Sequence, residues 1–208
     1  GTGGLRGIIG AGTNRMNIYT VRKASQGLAN YLIKQGNEAK TRGIAIAYDS
    51  RFKSAEFALE AAKVFTGNGI KTYLFDELRP TPELAFAVRF LGAIAGVAIT
   101  ASHNPKEYNG YKVYGEDGAQ LMPEITAQVT EEINKITDLT TINFTEKDDA
   151  LDSGLLKIIG KEIDDTYISW LKTLSFNGNL TEGATASLKI VYTPLHGTGY
   201  KLVRRILN

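Results

Sequence analysis

Ser102 is the residue with the most chemistry around it. It sits in Thr100-Ala101-Ser102-His103-Asn104-Pro105, and Tyr108-Asn109-Gly110-Tyr111-Lys112 follows closely, so a hydroxyl, an imidazole, amides and an amine share one short stretch. A serine hydroxyl becomes a nucleophile when a base, a helix end or a metal acts on it. The imidazole of His103 sets the field around such a group. Lys112 exchanges protons as a general acid or base if burial lowers its pKa. The Asn109-Gly110 pair reads as a turn that folds Lys112 back over Ser102, with Tyr108 and Asn109 shaping the loop. Each residue also has an inert reading at this spacing: a helix-capping serine, a satisfied structural histidine, a solvent-facing strand lysine. With His 2 and Cys 0, the chain offers neither several histidines around one metal nor thiolate chemistry.

Two arginines have a matching character. Arg6 lies in Gly1-Thr2-Gly3-Gly4-Leu5-Arg6-Gly7 and Arg51 in Asp49-Ser50-Arg51. A guanidinium fork meets phosphate oxygens with paired donors. The plain alternatives are a terminal arginine in a flexible glycine-rich setting and an Asp49–Arg51 structural bridge. The glycine runs at Gly1-Thr2-Gly3-Gly4 and Gly10-Ala11-Gly12-Thr13 form no full dinucleotide or nucleoside-triphosphate loop, and no strand clearly precedes them.

The elements that must hold these residues follow from periodicity. Apolar spacing predicts helices over Thr20 to Lys34, Ala55 to Thr66, Pro82 to about Phe90, Pro123 to about Ile136 and Lys161 to Leu174. Thr81 is placed as the cap of the third, with Pro82 at its first position. Short apolar runs predict strands over Ile44 to Tyr48, Ile70 to Phe75 and Ile94 to Ile99, the last delivering Ser102 at a strand end, where open α/β sheets place ligands. Tyr111 to Tyr114, the turn Gly115-Glu116-Asp117-Gly118 and Ala119 to Leu121 suggest an antiparallel hairpin. Thr137 to Gly154 reads as a polar surface excursion whose acids Glu146, Asp148, Asp149 and Asp152 are solvated rather than ligating. Phe176 to Ser187 reads as a linker, and Leu188 to Tyr192 as the strand of a second unit. The expected fold is α/β: a three-layer α/β/α domain with a mainly parallel mixed sheet and an antiparallel edge element. Its core should include Ile46, Leu59, Val64, Tyr73, Leu84, Val97 and Ile99.

The Ser102 hexapeptide followed by Asn109-Gly110-Tyr111-Lys112 resembles the phosphoserine loop of the alpha-D-phosphohexomutases. The opening Gly1 to Gly7, Asp49-Ser50-Arg51 and Thr193-Pro194-Leu195-His196-Gly197 resemble further motifs of that family, in the same order. The resemblance spans nearly the whole chain and implies that Ser102 is phosphorylated, donates phosphate to a sugar monophosphate and receives one back from a bisphosphate intermediate. It implies Lys112 as general acid/base and His103 as an orienting or proton-assisting partner. Arg6 would contact the phosphoserine, with Arg51 and Asn109 supporting the loop. His196 has at most a weak direct part. The cofactors implied are Mg²⁺, bound at Ser102 through its phosphate with the other ligands beyond residue 208, and glucose 1,6-bisphosphate as activator and intermediate.

Bulk properties set the outer limits. The chain has 208 residues, 43% hydrophobic and 22% charged, with a net charge of +2. So small a charge, without a basic stripe, argues against a nucleic-acid partner. No run is long enough to span a membrane and no signal peptide is visible, so the expected location is cytoplasmic. The chain begins inside a site motif without an initiator Met and ends within a helical pattern, so it reads as a fragment. Residues 1–186 would form the first mutase domain and residues 187–208 the start of a second. The expected partners are sugar monophosphates and the remaining mutase domains, with self-association of the fragment as a further expectation. Interconversion of glucose 1-phosphate and glucose 6-phosphate is the leading reading for the whole enzyme, with the fragment inactive alone. Phosphomannomutase, phosphopentomutase and a non-catalytic sugar-phosphate binding module are the alternatives.

Overall fold

The sheet is built from runs of small and β-branched residues. A computed structural model describes residues 4–176 and 189–207, and gives a six-stranded mixed sheet in the order β1-β5-β4-β2-β3-β6. The strands are β1 (Gly4–Ile8), β2 (Ile44–Tyr48), β3 (Thr72–Phe75), β4 (Ala95–Ile99), β5 (Tyr108–Gly115) and β6 (Leu156–Ile159). β4, β2, β3 and β6 run parallel, whereas β5 is antiparallel to β4 and β1 antiparallel to β5.

Alternation along each strand divides the core into two faces. Ile44, Ile46, Leu74, Val97, Ile99, Tyr111 and Val113 pack toward α1 (Ile18–Gln35), α3 (Ser54–Gly67) and α5 (Pro123–Lys135). Ala45, Ala47, Tyr73, Phe75, Ala98 and Tyr114 pack toward α4 (Thr81–Leu91) and α7 (Lys161–Thr173). This is the three-layer arrangement expected from sequence. Of the expected core residues, Ile46, Val64, Tyr73, Leu84, Val97 and Ile99 are buried, and Leu59 is half-buried against the core. α1 and α5 cross closely because Gly27 has no side chain; a Cβ there would meet the Ile133 backbone at 2.8 Å.

Several local expectations change. β1 and β6 are strands that the periodicity did not reveal, because β1 is mostly exposed and Lys157 and Ile158 interrupt the burial of β6. Asn109-Gly110 is no turn but part of β5. Gly110 is needed for close approach instead: a Cβ there would lie 2.6 Å from the Thr100 carbonyl and 2.9 Å from that of Leu5. The hairpin arm after Gly118 shrinks to one bridge between Tyr114 and Gln120. Pro80, not Thr81, holds the cap position of α4, and Thr81 is its first helical residue.

The segment 137–154 lies on the surface as expected, with Glu146, Asp148, Asp149 and Asp152 exposed, but it is not without structure. It carries a 3₁₀ turn at Leu139–Thr141 and the helix α6 (Lys147–Asp152), and it buries Ile142 against Val64 and Ile136, and Ala150 in the main core. Isolated apolar residues anchor it, which composition alone conceals. The expected linker falls largely on residues 177–188, outside the described ones. Lys189–Tyr192 carries no strand, and Val191 is 97% exposed: no neighbouring strand among the described residues pairs with it. The chain ends in α8 (Tyr200–Leu207), whose Leu202 packs on Tyr167 and Ile168 of α7. α2 (Glu38–Arg42) completes the helices named here.

Candidate active site

The site lies where β2 and β4 end side by side. Tyr48 pairs with Ile99 at that edge, so the segments that follow, Asp49-Ser50-Arg51 and Thr100-Ala101-Ser102, leave the sheet together. Asp49 binds both. Its carboxylate accepts from the Arg51 backbone N–H at 3.0 Å, Ser54 Oγ at 2.7 Å and Thr100 Oγ1 at 2.6 Å. The Thr100 hydroxyl in turn accepts the Ser102 N–H at 2.9 Å. A chain of hydrogen bonds thus runs from a carboxylate to the backbone of the candidate nucleophile.

Arg51 closes the loop from the other side. Nη1 donates to the carbonyls of Pro105 and Tyr108 at 2.8 and 3.1 Å, and Nη2 to those of Ser102 and Asn104 at 2.7 and 2.6 Å. Nε faces Asp49 at 3.3 Å. The guanidinium is therefore committed to the loop backbone, and both sequence readings of Arg51 meet in one residue: it braces the Ser102 loop and bridges to Asp49. Asn109 is fully buried and donates to Phe52 O and Ser54 Oγ, so it too is a scaffold group. Arg6 stands on ordered strand β1, opposite Gly110, and donates to Asn104 Oδ1 at 2.8 Å. The reading of Arg6 as a terminal arginine in a flexible setting is thereby corrected, since β5 provides the pairing that a glycine-rich sequence alone does not announce.

Ser102 is exposed, with φ +57°, a left-handed conformation uncommon for a residue with a Cβ. Its Oγ lies 3.3 Å from His103 Nδ1. Lys112 reaches the same place by strand geometry rather than by a turn. It pairs with Ala98 in β4, and alternation along β5 puts it on the α4 side, as Tyr114 is. Ser102, His103 and Lys112 line one open cleft of about 420 Å³, with Asp49 and Thr100 at its base.

The opposite wall holds groups that the sequence reading did not weigh. Arg79, Pro80, Thr81 and Pro82 line it, as does Tyr48. Burial, followed by the charge of Asp76, pushes the Tyr48 phenol above its ordinary range. The signal was available: Arg79-Pro80-Thr81-Pro82 lies in the segment that joins β3 to α4, shortly after a strand end as Asp49-Ser50-Arg51 is. His196, Gly197 and Thr198 also enter the cleft, and the His196 carbonyl, at φ +66°, accepts from Ser50 Oγ at 2.5 Å. The structure thus gives His196 a place in the site that its weak sequence reading did not.

The donor set does not suit a complete cation site. Among the described residues no three His, Cys, Asp or Glu side chains gather as metal ligands, and Ser102 has an imidazole and an amine beside it. Asp148, Asp149 and Asp152 belong to the α6 segment, which packs on α3 and β6. Among the described residues no helix is long and apolar enough to cross a membrane.

Comparison with known proteins bears on the whole chain. The family model described as phosphoglucomutase/phosphomannomutase, alpha/beta/alpha domain I, matches residues 1–140. A phosphoglucomutase of Staphylococcus haemolyticus is 40% identical across 100% of this chain, which covers 36% of that protein. A probable phosphoribomutase of Schizosaccharomyces pombe is 44% identical, again over 100% of this chain and 35% of its own length. The solved structure of the exocytosis-sensitive phosphoprotein pp63/parafusin, a phosphoglucomutase from Paramecium, superposes with a TM-score of 0.75 at 18% identity, covering 100% of this chain and 40% of that one. The chain therefore spans about a third of the length of the curated relatives it matches, 36% in the first case. With its fold and its Ser102 loop described, and with that family model matched over residues 1–140, the chain belongs to the phosphoglucomutase/phosphomannomutase family.

Proposed function

We propose that this chain is the phosphate-carrying part of a longer phosphoglucomutase, which interconverts glucose 1-phosphate and glucose 6-phosphate. The observation that carries the reading is the placement of Ser102. Its hydroxyl is exposed on a braced, left-handed loop at the mouth of a cleft that also holds Lys112 and His103. In this reading Ser102 Oγ bears a phosphoryl group. A hydroxyl oxygen of the sugar monophosphate forms a bond to phosphorus as the bond from phosphorus to Ser102 Oγ breaks. Lys112 Nζ moves the proton between the sugar hydroxyl and Oγ, and His103 orients the serine. The bisphosphate formed turns over in the cleft and returns its other phosphate to Ser102 by the same step reversed.

Positioning and charge stabilisation account for most of phosphoryl-transfer catalysis. Here Lys112 supplies positive charge in the cleft and Arg6, outside the cleft lining, supplies it from the Asn104 side of the loop, while Asp49 and Arg51 fix the loop. We include Mg²⁺ and glucose 1,6-bisphosphate as requirements of the whole enzyme, with the Ser102 phosphate giving one ligand to the ion. The described side chains alone do not complete such a site, and the 208-residue chain is expected to be inactive by itself. A phosphopentose is the second substrate reading, motivated by the phosphoribomutase relative.

The test uses the longer enzyme and the Ser102→Ala variant. After incubation with glucose 1,6-bisphosphate and Mg²⁺, peptide mapping by mass spectrometry should find phosphate on Ser102. Mutase turnover should vanish in the variant. Full turnover in Ser102→Ala would overturn the proposal, and glucose 1-phosphate against ribose 1-phosphate as substrate separates the two sugars.

A further inference from the structure

The His196 turn enters the cleft from a segment with few ties to the sheet. Among the described residues, one hydrogen bond joins residues 189–199 to residues 4–176: Ser50 Oγ donates to the His196 carbonyl at 2.5 Å, across 146 positions of sequence. Both partners are preset for it. Ser50 stands between two fixed neighbours, since Asp49 accepts the Arg51 N–H at 3.0 Å and the Arg51 guanidinium grips the Ser102 loop. The hydroxyl therefore leaves a held backbone. On the other side, His196 has φ +66°, and the Gly197 N–H closes the turn on the Pro194 carbonyl at 2.6 Å. A left-handed residue with a Cβ is disfavoured and persists where its surroundings over-determine it. Among the described residues, the non-glycine residues with positive φ are Lys53, Ser102 and His196, and the last two share the cleft.

The contact also divides space. His196 borders two open cavities: the cleft of about 420 Å³ that holds Lys112 and His103, and a second of about 670 Å³ beside Ser50, Phe52 and Lys106. Ser102 and Asp49 border both. The His196 turn thus stands between two approaches to the same serine. On the cleft side it brings an imidazole and the Thr198 hydroxyl, groups that donate to or accept from a sugar hydroxyl.

We propose that Ser50 is a positioning residue: its hydroxyl pins the His196 turn between the two cavities, so that His196 and Thr198 form a wall of the cleft that holds the hydroxyl groups of a sugar phosphate. Ser50 does not border the cleft and acts through His196. Such a wall binds ground state and transition state alike. Losing the pin therefore weakens substrate binding and leaves the chemical step at Ser102 and Lys112 in place. The substrate part rests on the mutase reading, whereas the pinning of the turn does not.

Two measurements test the two parts separately. In the 208-residue chain, amide ¹⁵N relaxation reads the turn directly. His196 and Gly197 should be as ordered as strand amides, with order parameters of about 0.85, and Ser50→Ala should lower them to about 0.6. The α8 amides should keep their order through Leu202 on α7. Ser50→Thr retains a hydroxyl and should restore the turn. An unchanged turn in Ser50→Ala would overturn the pin, as would equal loosening in Ser50→Thr. In the longer enzyme, with glucose 1-phosphate as substrate, Ser50→Ala should raise KM about fivefold and hold kcat within a factor of about two, with KM recovered in Ser50→Thr. An unmoved KM, or an equal fall in kcat and kcat/KM, would overturn the role of the wall. Peptide mapping of Ser102 keeps this apart from the mutase reading. Phosphate on Ser102 in both Ser50 variants leaves that reading standing whatever KM does. An enzyme that never carries it defeats the mutase reading and the wall with it, and the relaxation result still decides the pin.

Discussion

Two guanidinium centres hold the segments around the cleft, Arg51 half-buried and Arg79 buried, and they are neutralised in opposite ways. Arg51 donates to four backbone carbonyls and faces a single carboxylate, Asp49. Arg79 is surrounded by acids, Asp76, Glu83 and Asp164, and donates to one carbonyl, that of Leu78. Backbone dipoles do not titrate, so the first centre holds its geometry across pH. The second collects more carboxylates than one guanidinium can satisfy, and a proton must make up the difference. The centre beside the nucleophile thus leans on backbone carbonyls, and the centre around Arg79 on a buried acid that holds a proton.

The largest expected effect breaks the first centre. Arg51→Ala removes the donors to the Ser102 loop and leaves the half-buried Asp49 without its cation. It should lower unfolding free energy by about 3 kcal/mol in urea titration of the chain. Arg51→Lys should recover little of this, since an ammonium cannot span carbonyls on both sides of the loop. Near-native stability of Arg51→Lys would show that charge, and not the fork, holds the loop.

The second centre should announce itself through pH. Glu83 has a folded pKa raised above its unfolded value, so the folded chain binds more protons and its stability falls as pH rises. The contribution is intact below the ordinary glutamate range and fully lost above about 8. Between pH 5.5 and 7.5 the stability of the unmodified chain should drop by about 3 kcal/mol relative to Glu83→Gln, at roughly 1.4 kcal/mol per unit. Parallel pH profiles of the two proteins would remove the contrast between the centres.

Asp49→Asn sharpens the comparison from within the first centre. The amide matches the carboxylate in shape, but its NH2 replaces one of the two acceptor oxygens, so either Ser54 or Thr100 meets a donor instead of an acceptor. A loss of about 2 kcal/mol is expected, with little change in pH dependence near neutrality. Thermal unfolding at several pH values checks both parts.

The two centres also differ in how well the sequence exposes them. Asp49-Ser50-Arg51 and the Ser102 loop each follow an apolar strand and interrupt it with polar residues, so position and chemistry are visible together. Lys112 was also visible, though for the wrong local reason. Asn109-Gly110 has turn chemistry, yet the pairing of β5 with both β1 and β4 overrides it, and the long strand delivers the lysine by alternation. The second centre joins residues far apart in sequence, Arg79 with Asp164 and Asp164 with Arg205. Only tertiary packing shows that Glu83 is buried; in sequence it is an ordinary first-turn acid of a helix. β6 and the 137–154 segment escaped for a related reason, because their burial rests on few apolar residues without a sustained period.

The smallest effect concerns the nucleophile itself. Ser102 occupies a left-handed conformation at φ +57°, held there by Thr100 at its N–H and Arg51 at its carbonyl. A residue with a Cβ loses about 1 kcal/mol in this region, whereas glycine does not. Ser102→Ala and Ser102→Gly both delete the hydroxyl, so both should fail to accept phosphate in the longer enzyme. They should part in stability: glycine relieves the strain that alanine keeps, although its looser unfolded chain offsets part of the gain. Ser102→Gly is therefore expected to be more stable than Ser102→Ala by about 0.5 to 1 kcal/mol, measured by urea titration. Equal stabilities would mean that the loop relaxes once the hydroxyl is gone. The strain would then belong to the serine's own contacts, His103 included, and not to the frame set by Asp49 and Arg51.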